Sequence, residues 1–171
     1  MTFNIIQLLV LPPRIVACAS IGIAEACLLL LADPEWDQIA RYISNSHCFI
    51  IKEGRDRVGI VAIRPTHSHV MEITNVAVRP DRQNRGYGQL LVATALAYAK
   101  QHGATSVEVS TGDSSLGALA LYQRCGFVIK SVDKDYFLRH YKAPIYEEDR
   151  QCRSRITLSW VALGYQHGLG R

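Results

Sequence analysis

No stretch of the sequence reaches the roughly 20 consecutive apolar residues that span a bilayer. The nearest approach, Ile15 to Leu31, contains Glu25 and follows Pro12-Pro13-Arg14, so a buried helix is expected there and not a membrane anchor. A secretory leader is not expected either, because the only early cation, Arg14, comes after the first apolar run instead of before it. The five cysteines (Cys18, Cys27, Cys48, Cys125 and Cys152) are irregularly spaced and form no CxxC pair, which argues against a zinc or redox centre. Reduced thiols in a cytoplasm are the expectation. His67 and His69 form an HxH without further ligands in pattern, so a polar turn is expected and no metal. Long runs of one charge are also lacking. With 19 Lys and Arg against 15 Asp and Glu, and no helix with a dense basic face, a nucleic-acid partner is not expected, whereas a small anionic ligand fits.

What is present fills one domain. The 171 residues are 49% apolar, enough for a single core over 1–171, and leave no room for a second full domain. No internal repeat or low-complexity linker appears, and 164–171 reads as a flexible tail. Alternating elements predict a mixed α/β fold. Strands are expected at Phe3 to Leu11, Cys48 to Lys52, Val58 to Arg64, Val70 to Val78, Thr105 to Ser110, Val128 to Val132 and Arg155 to Trp160. Helices are expected at Ile15 to Leu31, Pro34 to Ile43 with Asp33 as N-cap, Gly88 to His102, and Ser114 to Arg124. Pattern alone does not divide the charged, aromatic stretch from Asp133 to Arg150.

The most informative segment runs Val76-Ala77-Val78-Arg79-Pro80-Asp81-Arg82-Gln83-Asn84-Arg85-Gly86-Tyr87-Gly88-Gln89, a strand passing through a turn into a helix N-terminus. Such an end offers about four unpaired backbone N–H groups and roughly half a positive charge, a natural seat for a diphosphate. Gly86 and Gly88 let backbone approach the oxygens, and Arg79, Arg82 and Arg85 add attraction. A Walker loop is excluded, since Gly88 is followed by Gln89-Leu90 and not by Lys-Ser or Lys-Thr. A dinucleotide fingerprint has Glu108 at a suitable distance for ribose, but its third glycine position is Leu91 and Glu108 lies inside a strand.

Gln83-Asn84-Arg85-Gly86-Tyr87-Gly88 resembles the Gln/Arg-x-x-Gly-x-Gly/Ala pyrophosphate loop of the GNAT acetyltransferases. Downstream, Ala120-Leu121-Tyr122-Gln123-Arg124-Cys125-Gly126-Phe127 is similar to that family's Ala-Leu-x-Leu-Tyr-x-x-x-Gly-Phe signature, and the two motifs stand in the family's order. The similarity covers roughly Cys48 to Leu158. Phe137-Leu138-Arg139-His140-Tyr141 and Gln151-Cys152-Arg153 further resemble a subgroup of small, largely uncharacterised bacterial members, although Ser154 replaces an acid frequent there.

The resemblance implies a central, mostly antiparallel sheet, splayed where acetyl-CoA binds and flanked by helices. It implies that Val76 to Val78 run beside the pantetheine arm, with a main-chain N–H near Ala77 or Val78 facing the thioester oxygen. It also implies that the 83–89 loop holds the diphosphate. Ser115, in Asp113-Ser114-Ser115, stands where many members place an Asn that touches the cofactor arm. Tyr122 takes the family's general-acid position. For the base that receives the amine proton, Glu72 on the strand before the loop and Glu108 on the next strand are both candidates. Cys125 as an acyl carrier lacks an activating His, so direct transfer is the simpler reading. A non-catalytic acetyl-CoA-binding module is the alternative class. The acceptor, a small-molecule or protein amine, is not written in the sequence, though Asp33, Glu35, Asp37 and residues 133–148 are candidates to line its cleft. A homodimer is compatible with the sequence.

Overall fold

The computed structural model describes residues 12–147 and 149–162. The expected strand at Phe3 to Leu11 and the expected tail at 164–171 lie outside the described residues. In chain order the elements are β1 (Arg14–Cys18), α1 (Ile23–Leu29), α2 (Trp36–Ile43), β2 (His47–Glu53), β3 (Asp56–His67), β4 (Val70–Val78) and a 3-10 turn at Pro80–Arg82. They continue with α3 (Tyr87–Gln101), β5 (Ser106–Gly112), α4 (Leu116–Arg124), β6 (Val128–Asp133), α5 (Tyr136–His140), β7 (Ile145–Glu147), β8 (Arg150–Cys152) and β9 (Arg155–Val161). Seven strands form one sheet in the order β1-β2-β3-β4-β5-β9-β6, while β7 and β8 pair separately. Among the described residues only β4 and β5 run parallel.

Alternation along the strands divides the core into two layers. Ile51, Val58, Val61 and Ile63 pack on one face against Leu91, Val92, Ala95 and Ala99 of α3 and Tyr122 of α4. Their sequence neighbours Ile50, Ile60 and Ala62 pack on the opposite face against Leu28 and Leu29 of α1 and Ile39 and Tyr42 of α2.

The run from Ile15 to Leu31 is not one helix. Its first part, rich in β-branched residues, is edge strand β1, paired antiparallel with β2 from Arg14↔Lys52 to Cys18↔Cys48. Only Ile23–Leu29 is helical. A continuous apolar run carries no period that separates strand from buried helix. The helix begins where Glu25 Oε2 accepts the Gly22 N–H at 3.1 Å, and the buried Glu25 carboxylate also pairs with Arg57. Asp33 does not cap α2. Its Oδ1 accepts the Glu35 N–H at 3.2 Å, a local turn that delays the helix until Trp36.

One irregularity sets up the site. Val70 to Ile73 pair with Ser106 to Val109 over four residue pairs, and there the β4–β5 ladder stops. In the β3–β4 register, Ile63 faces Ile73 while Ala62 faces Asn75, leaving Thr74 as an extra residue, a β-bulge. The bulge exchanges the faces of β4: Met71 and Ile73 belong to the α3 layer, whereas Ala77 belongs to the α1–α2 layer. Beyond it β4 remains paired with β3 as far as Val78, and β5 with β9 as far as Gly112, but the two strands no longer pair with each other.

Candidate active site

A cleft of about 900 Å³ opens at this parting, walled by Thr74 to Val78 on one side and Val109 to Gly112 on the other. Backbone polarity in the gap follows from the β3 ladder. Arg79 donates its N–H to the Val58 carbonyl at 2.9 Å, so Ala77 also addresses β3, and alternation turns the N–H and C=O groups of Val76 and Val78 toward the gap. The Val78 carbonyl is met there by Gln83 Nε2 at 3.1 Å.

Gln83 is where the cleft meets the glycine loop; residues 84–89 lie beyond the cleft lining. Asn84 and Gly86 hold φ of 59° and 81°, the left-handed values that turn the chain into α3. The first backbone bond into the helix is Leu90 N–H to the Gly86 carbonyl at 3.0 Å, which leaves the N–H groups of Tyr87, Gly88 and Gln89 as the helix's unpaired donors. The two glycines differ in purpose. A Cβ at Gly86 would meet no other atom within 4 Å, whereas one at Gly88 would stand 3.1 Å from Leu121 Cδ2, so Gly88 is the contact through which α3 approaches α4. The three arginines differ as well. Arg79 pairs with Asp81, and Arg82 with Glu53 and Asp81, while Tyr87 donates to Glu53. Among the described residues Arg85 has no carboxylate partner and is the loop's available cation.

Tyr122 is buried from α4 against the ring of Phe127 and lines the cleft. Burial, with Cys125 close by, pushes its phenol well above its usual pKa, so the hydroxyl keeps its proton. Glu72 also lines the cleft, and both Nε and Nη2 of Arg64, its neighbour across the β3–β4 ladder, bond to its Oε2 at 3.0 and 2.8 Å. Glu108 sits directly opposite Glu72 on β5, yet it is absent from the cleft lining and pairs with Lys130. The structure therefore brings Glu72 and Tyr122 to one cleft and leaves Glu108 outside it.

Ser115 lines the cleft and donates to Glu147 Oε1 at 2.8 Å. Asp113 has a structural task. Its Oδ1 accepts the Arg153 N–H at 2.9 Å and its own N–H bonds the Ser154 carbonyl at 2.9 Å, tying the Gln151-Cys152-Arg153 segment over the site. His69, in the β3–β4 turn with φ of 62°, bonds the Gly103 carbonyl through Nδ1 at 3.1 Å, as a polar turn residue does.

Four cleft residues, Tyr42, Arg64, Asn75 and Arg155, were not singled out in the linear sequence, whereas Tyr136 and Tyr141 fall within the 133–148 stretch expected to line the acceptor cleft. Asn75 Nδ2 donates to the Leu29 carbonyl at 3.0 Å and to Tyr42 Oη at 3.1 Å, docking β4 to both helices of the opposite layer. Burial pushes Tyr42 up to about 12, opposed only in part by the Asn75 hydrogen bond. Of the four, Asn75 offered a signal that could have been used: it alternates with Met71, Ile73 and Ala77 and is the one polar residue of that set.

Comparison with known proteins places this arrangement. Residues 21–127 match the acetyltransferase (GNAT) family. YvbK of Bacillus subtilis, an uncharacterised N-acetyltransferase, is 41% identical over 131 residues, covering 77% of this chain and 84% of YvbK. A crystal structure of a Bacillus subtilis acetyltransferase in complex with CoA is 38% identical, with a TM-score of 0.84 over 88% of this chain and 99% of that one. A GNAT acetyltransferase from Elizabethkingia anophelis with acetyl-CoA bound is 32% identical, with a TM-score of 0.82 over 88% of this chain and 98% of that one. With the parted strands, the glycine loop and the buried tyrosine in family order, the chain belongs to the GNAT family of acetyltransferases.

Proposed function

We propose that the protein transfers the acetyl group of acetyl-CoA to a primary amine by direct attack in a ternary complex, as one domain working in a cytoplasm. The observation that carries this reading is the parting of β4 from β5 after Ile73, which leaves strand N–H groups facing a cleft that also holds a protonated phenol and a carboxylate. The CoA and acetyl-CoA in the two neighbouring structures support it.

Acetyl-CoA supplies an activated thioester; this chain's residues hold and polarise it. The N–H groups of Tyr87, Gly88 and Gln89, with the cation of Arg85 beside them, seat the diphosphate. The Val78 or Val76 N–H donates to the carbonyl oxygen, where negative charge grows during attack. Of the two N–H positions expected from the sequence, Val78 faces the gap and Ala77 faces β3. Tyr122 donates to the departing sulfur. Even an unperturbed phenol near pKa 10 is a weaker acid than a thiol near 8.5, and burial raises it further. Tyr122 therefore acts by hydrogen bonding the developing thiolate, which leaves as the CoA anion and takes its proton from solvent after release. Glu72 receives the amine proton at Oε1, directly or through a water, since Oε2 is taken by Arg64.

Free CoA release over a panel of amines tests the reaction. Incubation with acetyl-CoA alone tests directness: mass spectrometry is expected to find no acetyl group on Cys125 or Cys152. A stable acetyl-cysteine that an amine then discharges would sink direct attack.

A further inference from the structure

Three buried side-chain atoms have no hydrogen-bond partner among the described residues: Asn75 Oδ1, Ser114 Oγ and Arg155 Nε. All three residues line the cleft. Buried polar atoms are nearly always paired in folded chains, so this clustering of unpaired ones singles the cleft out.

Arg155 is the one that carries charge. It opens β9 opposite Gly112 of β5 and Asp133 of β6, and its guanidinium lies over the Tyr136 ring at 4.1 Å, which fixes the plane of the fork. The carboxylates around it are engaged elsewhere. Of the carboxylates lining the cleft, Glu72 pairs with Arg64, Glu147 accepts from Ser115 and Asp33 accepts the Glu35 N–H, while Asp133 pairs with Arg139 and Asp135 with Arg153. Of the three arginines lining the cleft, Arg64 is thus neutralised and Arg41 is exposed on α2. Among the described residues Arg155 remains a pre-oriented cation with a buried Nε–H and no carboxylate partner. Around it Tyr136, Phe137 and Tyr141 form an aromatic wall, and burial pushes Tyr141 up to about 12, so this wall stays uncharged.

We propose that Arg155 seats a carboxylate of the acceptor, so that the acceptor class is amines bearing a carboxyl group, as in amino acids with apolar or aromatic side chains. This rests on the amine-acetylation reading above and adds the recognition element to it. The two terminal nitrogens of a planar guanidinium match a carboxylate in two parallel bonds, and such charge-assisted pairs are about twice as strong as neutral ones.

The test uses matched acceptors that differ only by the carboxyl group: phenylalanine against phenethylamine, and leucine against 3-methylbutylamine. With wild-type protein and saturating acetyl-CoA, the amino acid is expected to have the higher kcat/KM by at least about tenfold. Arg155→Ala is expected to erase that preference through KM. Arg155→Lys, which keeps the charge but not the fork, should restore part of it. Equal or better use of the decarboxylated amines by the wild type overturns the inference. So does an equal loss for both members of a pair in Arg155→Ala, or a loss of acetyl-CoA affinity by calorimetry, which would assign Arg155 to the co-substrate or to the fold.

Should no amine release CoA, the transferase reading fails, and the carboxylate seat is judged separately by calorimetry on the protein with CoA. N-acetylphenylalanine binding about tenfold more tightly than N-phenethylacetamide, with the difference lost in Arg155→Ala, supports the seat. Equal binding, or none by either, overturns it.

Discussion

Tyr122 and Glu72 reach the cleft from opposite faces of the sheet: Tyr122 belongs to the α3 layer, while Glu72 alternates with Met71 and Ile73 of that layer and so projects the other way. A thioester held between the parted strands would have its sulfur toward one face and the incoming amine toward the other. Tyr122→Phe keeps the ring and its packing on Phe127 but removes the donor. It is expected to lower kcat by about tenfold to a hundredfold while leaving acetyl-CoA affinity within about twofold, read by steady-state kinetics and calorimetry. Undiminished turnover with chemistry rate-limiting would return Tyr122 to a packing role. Glu72→Gln is expected to depress the rate most below the amine's own pKa, where nearly every acceptor carries an extra proton, with the defect shrinking at high pH. Glu108→Gln, outside the cleft and facing Lys130, should keep the wild-type profile. The reverse result would move the base to β5.

Among the elements, the loop into α3 and the start of α1 each make a separable prediction. Gly88→Trp would push Leu121 and α4 aside and so confuses folding with binding, whereas Gly86 has open space around it. Gly86→Ala is expected to cost about 1 to 2 kcal/mol of stability through its left-handed φ. It should also weaken acetyl-CoA binding by a further margin in the folded fraction, as calorimetry would show; unchanged affinity there removes the loop from the cofactor site. At α1, burial raises the Glu25 carboxyl, but its own and the Gly22 N–H and Arg57 outweigh that effect and hold it below the usual range. The stabilisation is therefore fully present above the unfolded carboxyl pKa of about 4.3, and it is lost as the pH falls through the lower folded value. Glu25→Gln should unfold at lower denaturant concentration than the wild type at pH 7, and the gap should narrow as the pH falls below 4. A constant gap would mean that shape and not charge matters there. These elements also show what was legible. Val70 to Val78 was readable to the residue because it is rich in β-branched residues and Arg79-Pro80-Asp81 ends it, and α3 and α4 to within two residues because their motifs are local. The β1–α1 segment was misread because a continuous apolar run has no period. The glycine loop and Tyr122 are contiguous motifs, whereas Arg64, Asn75, Tyr136 and Arg155 meet only through the sheet order, which no window of sequence contains.

In the whole molecule the sheet is two blocks, β1 to β4 and β5 with β9 and β6, and the ladder that joins them is the four-pair stretch from Val70 to Ile73. Helix α3 packs on strands of both blocks, but the strand ends beyond the bulge are left facing the cleft. A ligand that fills the parting supplies the hydrogen bonds the missing ladder would have made, so binding should be felt as stability as well as affinity. At a free acetyl-CoA concentration of 100 times Kd, mass action gives about 2.7 kcal/mol, which for a chain of this size corresponds to a rise in Tm of roughly 5 to 11 °C. The rise alone does not locate the ligand; amide exchange does. Peptides covering Thr74 to Arg79 and Val109 to Gly112 are expected to slow their deuterium uptake when acetyl-CoA is added, because the N–H groups of Val76 and Val78 then gain acceptors. Peptides from the continuous β2–β3 ladder should change little beyond the global effect. Protection confined to residues 83–89, with none at Val76 and Val78, would mean that the diphosphate is held at the loop while the arm lies elsewhere. The parting of β4 and β5 would then have to be explained without the thioester.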